Sequence, residues 1–175
     1  MSSKLSITLN HGELISVPID ENSIVTKKLM TGNVFLLEFT ETYAVNIAIG
    51  SFVTIDGEKY KVKQVPEIDK INKNTFEHTV IFEGTLSGLK EKVLISSDNL
   101  TEFSYVATAS DFLSLIIASA NQIGGQWIKG AVDASIKKNI QFYNDTCYTA
   151  LYKIVQAFNF EFEVDNKTIN LKESI

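Results

Sequence analysis

The residues that could carry covalent chemistry are few: one cysteine, Cys147, and two histidines, His11 and His78. A cysteine nucleophile needs a thiolate next to an imidazole base, so these three side chains are the whole supply. Cys147 falls on the apolar stripe of a predicted helix, where a free cysteine is ordinarily a small buried side chain. His78 lies within a predicted strand, where a packed or surface histidine is favoured over a ligand. We therefore predict no catalytic residue among them.

Paired carboxylates offer a second possible chemistry. Glu161 and Glu163 share one face of a predicted strand, and the strand rise separates them by about 6.6 to 7 Å, a spacing that a glycosidase could use. The competing interpretation is the solvated face of an amphipathic hairpin. It is favoured because no aromatic-lined cleft can be argued around the pair.

Sites for metals and phosphates are not indicated by the sequence. No group of histidine, cysteine and acidic residues has the spacing of metal ligands, so we expect no metal and no cofactor. Gly124-Gly125 and Gly130 lack the pattern of a phosphate-binding loop and indicate a helix end and a loop glycine. Glycosylation sequons carry no weight, because the N-terminal residues lack the apolar core of a secretion signal.

The charge composition disfavours nucleic-acid recognition. The 175 residues include 16 lysines and no arginine against 21 acidic residues, which gives a net charge of −5. Arginine supplies the planar forks that read guanine and clamp phosphate, so we expect no specific nucleic-acid partner. Because no apolar run reaches about 18 residues, we also expect no membrane segment. The single cysteine excludes an internal disulfide, and folding in a reducing cytoplasm is expected.

Strand patterns fill the chain up to about Ser96. Alternating apolar residues predict a hairpin from Lys4–Leu9 and Glu13–Ile19, and Asp56-Gly57 predicts a tight type I′ turn between two further strands. Thr75–Gly84 is predicted as another strand, with His78 on its apolar face. The polar stretch 66–74 is predicted as a long exposed connection, and 92–95 as a closing strand.

Two segments carry more apolar surface than a small protein readily buries. Asn33–Thr40 is too continuous for a strand with one wet face, and we expect it to be buried on both sides or at a subunit contact. The predicted helix Asp111–Gln122 is apolar on most of its surface. Surplus apolar surface in such a protein commonly becomes a subunit interface, and Phe35, Leu37 and Phe39 are the possible interface residues. A well-filled core explains the same pattern equally well.

From residue 97 onward the pattern changes to an α+β module. Thr108 or Ser110 is expected to cap the first helix, and a segment with Trp127 and a strand over Ile136–Phe142 follow. Asn144 or Asp145 is expected to cap a second helix, and a phenylalanine-rich hairpin completes the module. The predicted fold class is therefore α+β, with a β-rich, barrel-like domain over 1–96 and an α+β domain over 97–175.

The second module resembles a known family. Its residues are similar to the N-terminal region of bacteriophage and prophage tail hub proteins, the baseplate hub and tail-associated "prophage tail endopeptidase" family. In that family a helix precedes a tryptophan-containing segment, a strand leads into a helix with an alanine-leucine pair, and a phenylalanine-rich hairpin follows. The segments that carry the resemblance are Ala109–Ile117, Gly125–Asp133, Ile140–Ile154 and Phe158–Leu171.

The resemblance implies a structural role in a virion tail. Hubs of this kind form a homotrimeric ring at the tail tip, where they join the tail tube or distal tail protein to a spike or fibre and enclose the channel for tape-measure protein and DNA. It further implies that any hydrolase activity lies C-terminal to this chain, which is then an N-terminal fragment or an abbreviated relative made in the bacterial host cytoplasm. The alternative is a small tail-associated hydrolase or carbohydrate-binding module, with acidic and aromatic residues around a concave site.

Overall fold

The computed structural model describes residues 3–122 and 124–174, and in this part the chain forms 13 strands, two α-helices and one short 3-10 helix. The predicted α+β class is confirmed. The described residues divide into two compact units: unit 1 contains 3–28 and 32–85, and unit 2 contains 29–31 and those from 86 to 174. The predicted domains 1–96 and 97–175 stay a prediction.

Unit 1 is built on one eight-stranded sheet around an apolar core. The strands run in the order β2-β1-β5-β6-β8-β4-β3, and β7 pairs with β8. Their bounds are β1 (Lys4–Thr8), β2 (Leu14–Pro18), β3 (Ile24–Thr26), β4 (Val34–Glu41), β5 (Phe52–Ile55), β6 (Glu58–Val62), β7 (Glu67–Asn72) and β8 (Thr75–Glu83).

The sheet of unit 1 is open, which corrects the expectation of a barrel-like module. Among the described residues no strand pairing joins the end strands β2 and β3. The segment that connects them bonds instead to the backbone of β4. Asp20 N–H donates to the Glu38 carbonyl at 3.0 Å, and Glu38 N–H donates to Ser23 Oγ at 3.0 Å. These bonds satisfy part of the edge that strand pairing leaves free.

The predicted hairpins of unit 1 are confirmed. Strand β1 pairs antiparallel with β2, and β5 pairs antiparallel with β6. Asp56 and Gly57 have φ values of 51° and 80°, the positive values that a type I′ turn requires at both central residues. Along β6, Tyr60 is buried while its neighbours Lys59 and Lys61 are exposed, so one sheet face is wet as predicted.

The stretch predicted as a long connection, 66–74, is in part a strand. Residues Glu67–Asn72 form β7, which pairs antiparallel with the first half of β8. The prediction of exposure was right, since all six residues of β7 are exposed, and the prediction of a loop was wrong. An edge strand with backbone bonds on one side only can be as polar as a loop, so composition does not distinguish them.

Unit 2 packs two helices against two small sheets. Strand β10 runs parallel to β13, which pairs antiparallel with β12, and β9 pairs antiparallel with β11. The bounds are Thr85–Leu89 for the 3-10 helix, β9 (Glu102–Ala107), α1 (Ala109–Asn121), β10 (Ile128–Val132), β11 (Lys138–Tyr143), α2 (Cys147–Phe158), β12 (Phe160–Asp165) and β13 (Thr168–Glu173).

A threonine caps the N-terminus of each helix. Thr108 caps α1 as one of the two predicted residues, and it forms a reciprocal capping box with Asp111. The Thr108 hydrogen bonds hold the pKa of the Asp111 carboxyl below its usual value. Thr146 caps α2 by accepting the Thr149 N–H at 3.1 Å, so the predicted caps Asn144 and Asp145 are wrong. Residue 144 has a φ of 52° and belongs to the turn before the helix.

Residues 92–95 do not close the β-rich module as predicted. Val93 forms an isolated bridge with Thr146 inside unit 2, and Leu94 N–H donates to the Asp145 carbonyl at 2.8 Å. Leu94 itself is buried in the core of unit 2. This apolar stretch therefore supports the start of α2, a long-range pairing that the local pattern does not reveal.

Candidate functional site

Cys147 lies at the first position of α2 with its side chain fully buried. Its Sγ is 3.8 Å from the Ile116 carbonyl oxygen of α1. Burial raises the pKa of the thiol to about 12, so the group stays protonated at neutral pH. These properties are those of a core side chain and are opposite to those of a thiolate nucleophile.

His78 is a buried histidine of β8 in unit 1. Its Nε2 accepts the Val45 N–H at 2.9 Å, and its ring stacks on Phe39 with a centroid distance of 4.4 Å and an interplanar angle of 3°. Burial lowers the pKa of the imidazole, and the backbone of Phe39 and Phe76 offsets part of the effect. The neutral ring therefore holds the backbone at residue 45 in place.

The two carboxylates of β12 lie on its exposed face. Glu161 is directly opposite Lys172 of β13, and the Lys172 Nζ is 3.4 Å from a Glu163 oxygen on the surface. His78 belongs to the other unit. Among residues 3–122 and 124–174, no group of three or more His, Cys, Asp or Glu side chains could hold a metal ion.

Gly130 lies in strand β10, whereas a loop position was predicted. A Cβ at this position would overlap the side-chain amide of Asn170 on β13. That amide accepts the Ala131 N–H at 2.8 Å where the register between β10 and β13 shifts. The glycine therefore allows two strands to approach closely at a bulge.

An apolar row crosses three strands on the outer face of unit 1. Leu36 of β4 is directly opposite Ile24 of β3 on one side and Ile81 of β8 on the other. We call Ile24, Leu36 and Ile81 the outer row. Ile24 is 56% exposed, and the other two are partly exposed. Directly opposed residues share one face of an antiparallel sheet, so the three side chains form one continuous surface.

Polar residues border the outer row on both sides. On this face, the next pair along β4 and β8 is Glu38 with Thr79. In the other direction Val34 is opposite Glu83, which on its other side is opposite Lys61 of β6. An exposed apolar surface with a polar border is typical of a protein interaction site. Within the described part of unit 1, the outer row is therefore our candidate assembly surface.

The predicted interface residues lie on the opposite face of β4. Phe35, Leu37 and Phe39 are 4%, 0% and 1% exposed and form part of the unit 1 core. The expectation that β4 is buried on both sides is wrong within this chain, because Val34 and Leu36 keep exposed surface. A role of the three residues in an interface stays a prediction. The side chains of β4 that a partner reaches first are those of the outer face.

No helix among the described residues is long and apolar enough to cross a membrane.

Comparisons with known proteins give likeness in structure only. Neither a protein-family model nor a curated protein sequence matches the chain significantly. Among solved structures, the prophage tail protein gp18 from Listeria monocytogenes EGD-e superposes with a TM-score of 0.72 at 12% identity, over 98% of this chain and 51% of that protein. The 43 kDa tail protein of prophage MuSo2 from Shewanella oneidensis has a TM-score of 0.65 at 15% identity, over 98% and 54%.

A secretion-system protein has the same fold. The E. coli c3393 protein has a TM-score of 0.53 at 13% identity, over 89% of this chain and 48% of that protein. It is described as a component of the type VI secretion system with structural similarity to the T4 bacteriophage tail proteins gp27 and gp5. The chain spans about half the length of the proteins it matches. At these identities the likeness is one of fold, and it confirms the resemblance to tail proteins inferred from the sequence.

Proposed function

We propose that this chain is a virion structural protein of a bacteriophage or prophage tail, a component of the tail tip or baseplate hub. The observation that carries the proposal is the match to prophage tail proteins over 98% of the chain, which includes both units. In this role the chain joins the tail tube or distal tail protein to a spike or fibre. It has no catalytic function in this region.

The chemistry of the candidate residues supports a structural role. Cys147 is a buried thiol, His78 is a buried neutral imidazole, and Glu161 and Glu163 lie on an exposed strand face. A hydrolase needs its acid, base and nucleophile around one substrate. Cys147 and His78 serve packing, and the two glutamates are solvated.

The outer row supports self-association. Three aliphatic side chains on adjacent strands can pack against the same or another surface of a second copy, and a homotrimer is the closed ring that a hub requires. The fold places this surface on the regular part of the sheet, where its geometry is fixed by strand pairing. We propose that the outer row lies in the trimer contact.

Light scattering after gel filtration tests the homotrimer. Across about a hundredfold range of concentration, the mass of the chain should rise towards three times 19.5 kDa. Leu36→Lys should keep the chain at the single-chain mass, because it places a charge within the apolar contact. Ile136→Lys is the matched control, since Ile136 is 76% exposed and lies in unit 2, and it should associate like the wild type. A wild-type chain that stays at 19.5 kDa throughout would contradict the contact.

A further inference from the structure

A groove of about 570 Å³ lies in unit 2 between strand β9 and helix α1. Strand β9 contributes Phe103, Ser104 and Tyr105, and α1 contributes residues that include Asp111 and Ser114. The loop 96–100 completes the lining and contains Asp98. Successive residues of a strand point to opposite faces, so a groove lined by residues 103, 104 and 105 runs along the edge of β9 and not over one face.

The edge of β9 that faces away from β11 has free backbone groups. Thr101 and Asn144 are the next opposed pair beyond Glu102 and Tyr143 in the β9–β11 ladder. They are a hydrogen-bonded pair, because Asn144 N–H donates to the Thr101 carbonyl at 2.9 Å. Hydrogen-bonded pairs alternate along an antiparallel ladder, so the backbone of residues 103 and 105 bonds to β11. The backbone groups of Ser104 and Val106 therefore point away from β11. Within the described residues, they have no hydrogen-bond partner.

The side chains of the groove combine an apolar floor with negative charge. The Tyr105 ring meets Phe112 edge-on at 5.6 Å, and Phe103 packs on Phe142 at 5.2 Å, so both aromatic side chains are fixed by the core. The Asp98 carboxylate has no partner among the described residues, while that of Asp111 is held by Thr108.

Two lysines, Lys129 and Lys137, are near Asp111, and Lys129 already has a partner at the rim. Lys129 Nζ donates to Ser114 Oγ at 3.0 Å. The lining itself contains two aspartates and no lysine, so its charge is complementary to a cationic side chain.

We propose that this groove binds an extended segment of a partner protein, which adds a strand to the free edge of β9 and directs a lysine or arginine side chain to Asp98. Strand addition of this kind uses main-chain hydrogen bonds for affinity and side-chain pockets for selectivity. The free N–H and C=O of Ser104 supply the main-chain hydrogen bonds, and the acidic lining supplies the selectivity. The proposal goes beyond the tail role and does not depend on it.

Fluorescence anisotropy with two labelled peptides tests the groove. Each peptide has about twelve residues that alternate threonine and valine, and the central residue is lysine in one and glutamate in the other. We expect the lysine peptide to bind saturably and the glutamate peptide to bind at least about tenfold more weakly, because Asp98 and Asp111 repel it.

Ser104→Pro is the decisive variant. Proline removes the outward N–H without breaking a ladder bond, a substitution that edge strands accept. It should weaken binding of the lysine peptide by about tenfold or more. Ser104→Ala is the matched control: it removes the hydroxyl that donates to Asn139 Oδ1 at 2.6 Å and keeps the N–H, so binding should stay within about twofold of the wild type.

Asp98→Asn provides a test that does not require the proline variant to fold. It should reduce the preference for lysine over glutamate, since the free carboxylate is lost. The proposal would be overturned by no saturable binding of either peptide up to about 1 mM, or by a folded Ser104→Pro chain that binds like the wild type. If neither peptide binds but a labelled N-acetylglucosamine oligomer binds saturably, the proposal is overturned in favour of a saccharide site.

Discussion

Leu36 of β4 lies directly opposite Ile81 of β8 on the outer face of unit 1, one position away from a pair that lies in the core. In that core pair Phe35 is opposite Phe82, and the two rings stack with a centroid distance of 5.6 Å. Neighbouring apolar residues of one strand therefore have different roles. Those of the inner face stabilise the unit, and those of the outer face remain available to a partner.

Truncation on the two faces of β4 should have different effects on stability. Leu37→Ala removes a fully buried side chain and should lower the free energy of unfolding by about 2 to 5 kcal/mol. Leu36→Ala removes a partly exposed side chain from the same strand and should cost about 1 kcal/mol or less. Urea unfolding at a concentration where the chain is a monomer measures both. Equal losses would contradict the assignment of the faces.

Helix α1 should depend on its N-terminal cap. Thr108→Ala removes the Oγ1 that accepts the Asp111 N–H at 3.2 Å, and the free energy of unfolding should fall by about 0.5 to 2 kcal/mol. Ser110→Ala, two residues further along the helix, is the control and should change the free energy of unfolding by no more than about 0.5 kcal/mol. The cap would be unimportant if both variants unfolded at the same denaturant concentration.

His78 should make the stability of unit 1 fall with acidification. Its pKa in the folded chain is lower than the unfolded value of 6.5, so the unfolded state binds more protons as the pH falls through 6.5. Thermal unfolding should therefore show full stability above this pH and a progressive loss below it. The imidazole must also release the Val45 N–H when Nε2 takes up a proton.

Two glutamine variants separate this histidine from other acid effects. His78→Gln keeps an oxygen that can accept the Val45 N–H and should remove much of the change in stability between about pH 7.5 and pH 5.5. His11→Gln makes the same substitution at an exposed position and is the matched control. A His78→Gln profile that follows the wild type would place the acid sensitivity elsewhere.

Cys147 should resist thiol reagents in the folded chain. Its side chain is fully buried, and burial raises its pKa to about 12, so the reactive thiolate is scarce at neutral pH. Labelling with an aromatic disulfide reagent should be slower in buffer than in urea by about a hundredfold or more. The reagent reaches the thiol only in the small fraction of chains that open, so the equilibrium between closed and open chains sets this factor. In Ile136→Cys, the added thiol lies at an exposed position and should react at once. Rapid labelling of Cys147 in buffer would contradict its core position.

Local patterns in the sequence predicted much of the fold. The Asp56-Gly57 turn, the alternation along β6 and the stripe that includes Leu151 and Ile154 on α2 are all set by neighbours in the sequence, and the structure confirms them. The two errors have different causes. Residues 67–72 pair with the adjacent strand β8, but their polar composition is that of a loop. Val93 pairs with the distant Thr146, which no short window reveals.

The candidate surface could be predicted only in part. The continuous apolar run of β4 indicated that both of its faces matter, but the sequence does not say which face lies inside. The residues on neighbouring strands decide which face is buried. On one face, Phe82 and Val80 of β8 complete a core with Phe35 and Leu37. On the other face, Ile24 and Ile81 extend the outer row. The groove beside β9 could not be predicted, because the local pattern does not indicate a strand there and the free edge follows from pairing with β11.

The position of this chain in assembled particles tests its tail role most directly. Particles are prepared from the bacterium that carries the gene, labelled with a gold-conjugated antibody raised against this chain, and imaged by electron microscopy. We expect gold at the tail tip of intact particles. Gold along the length of the tail, or intact tails that lack the label, would contradict it.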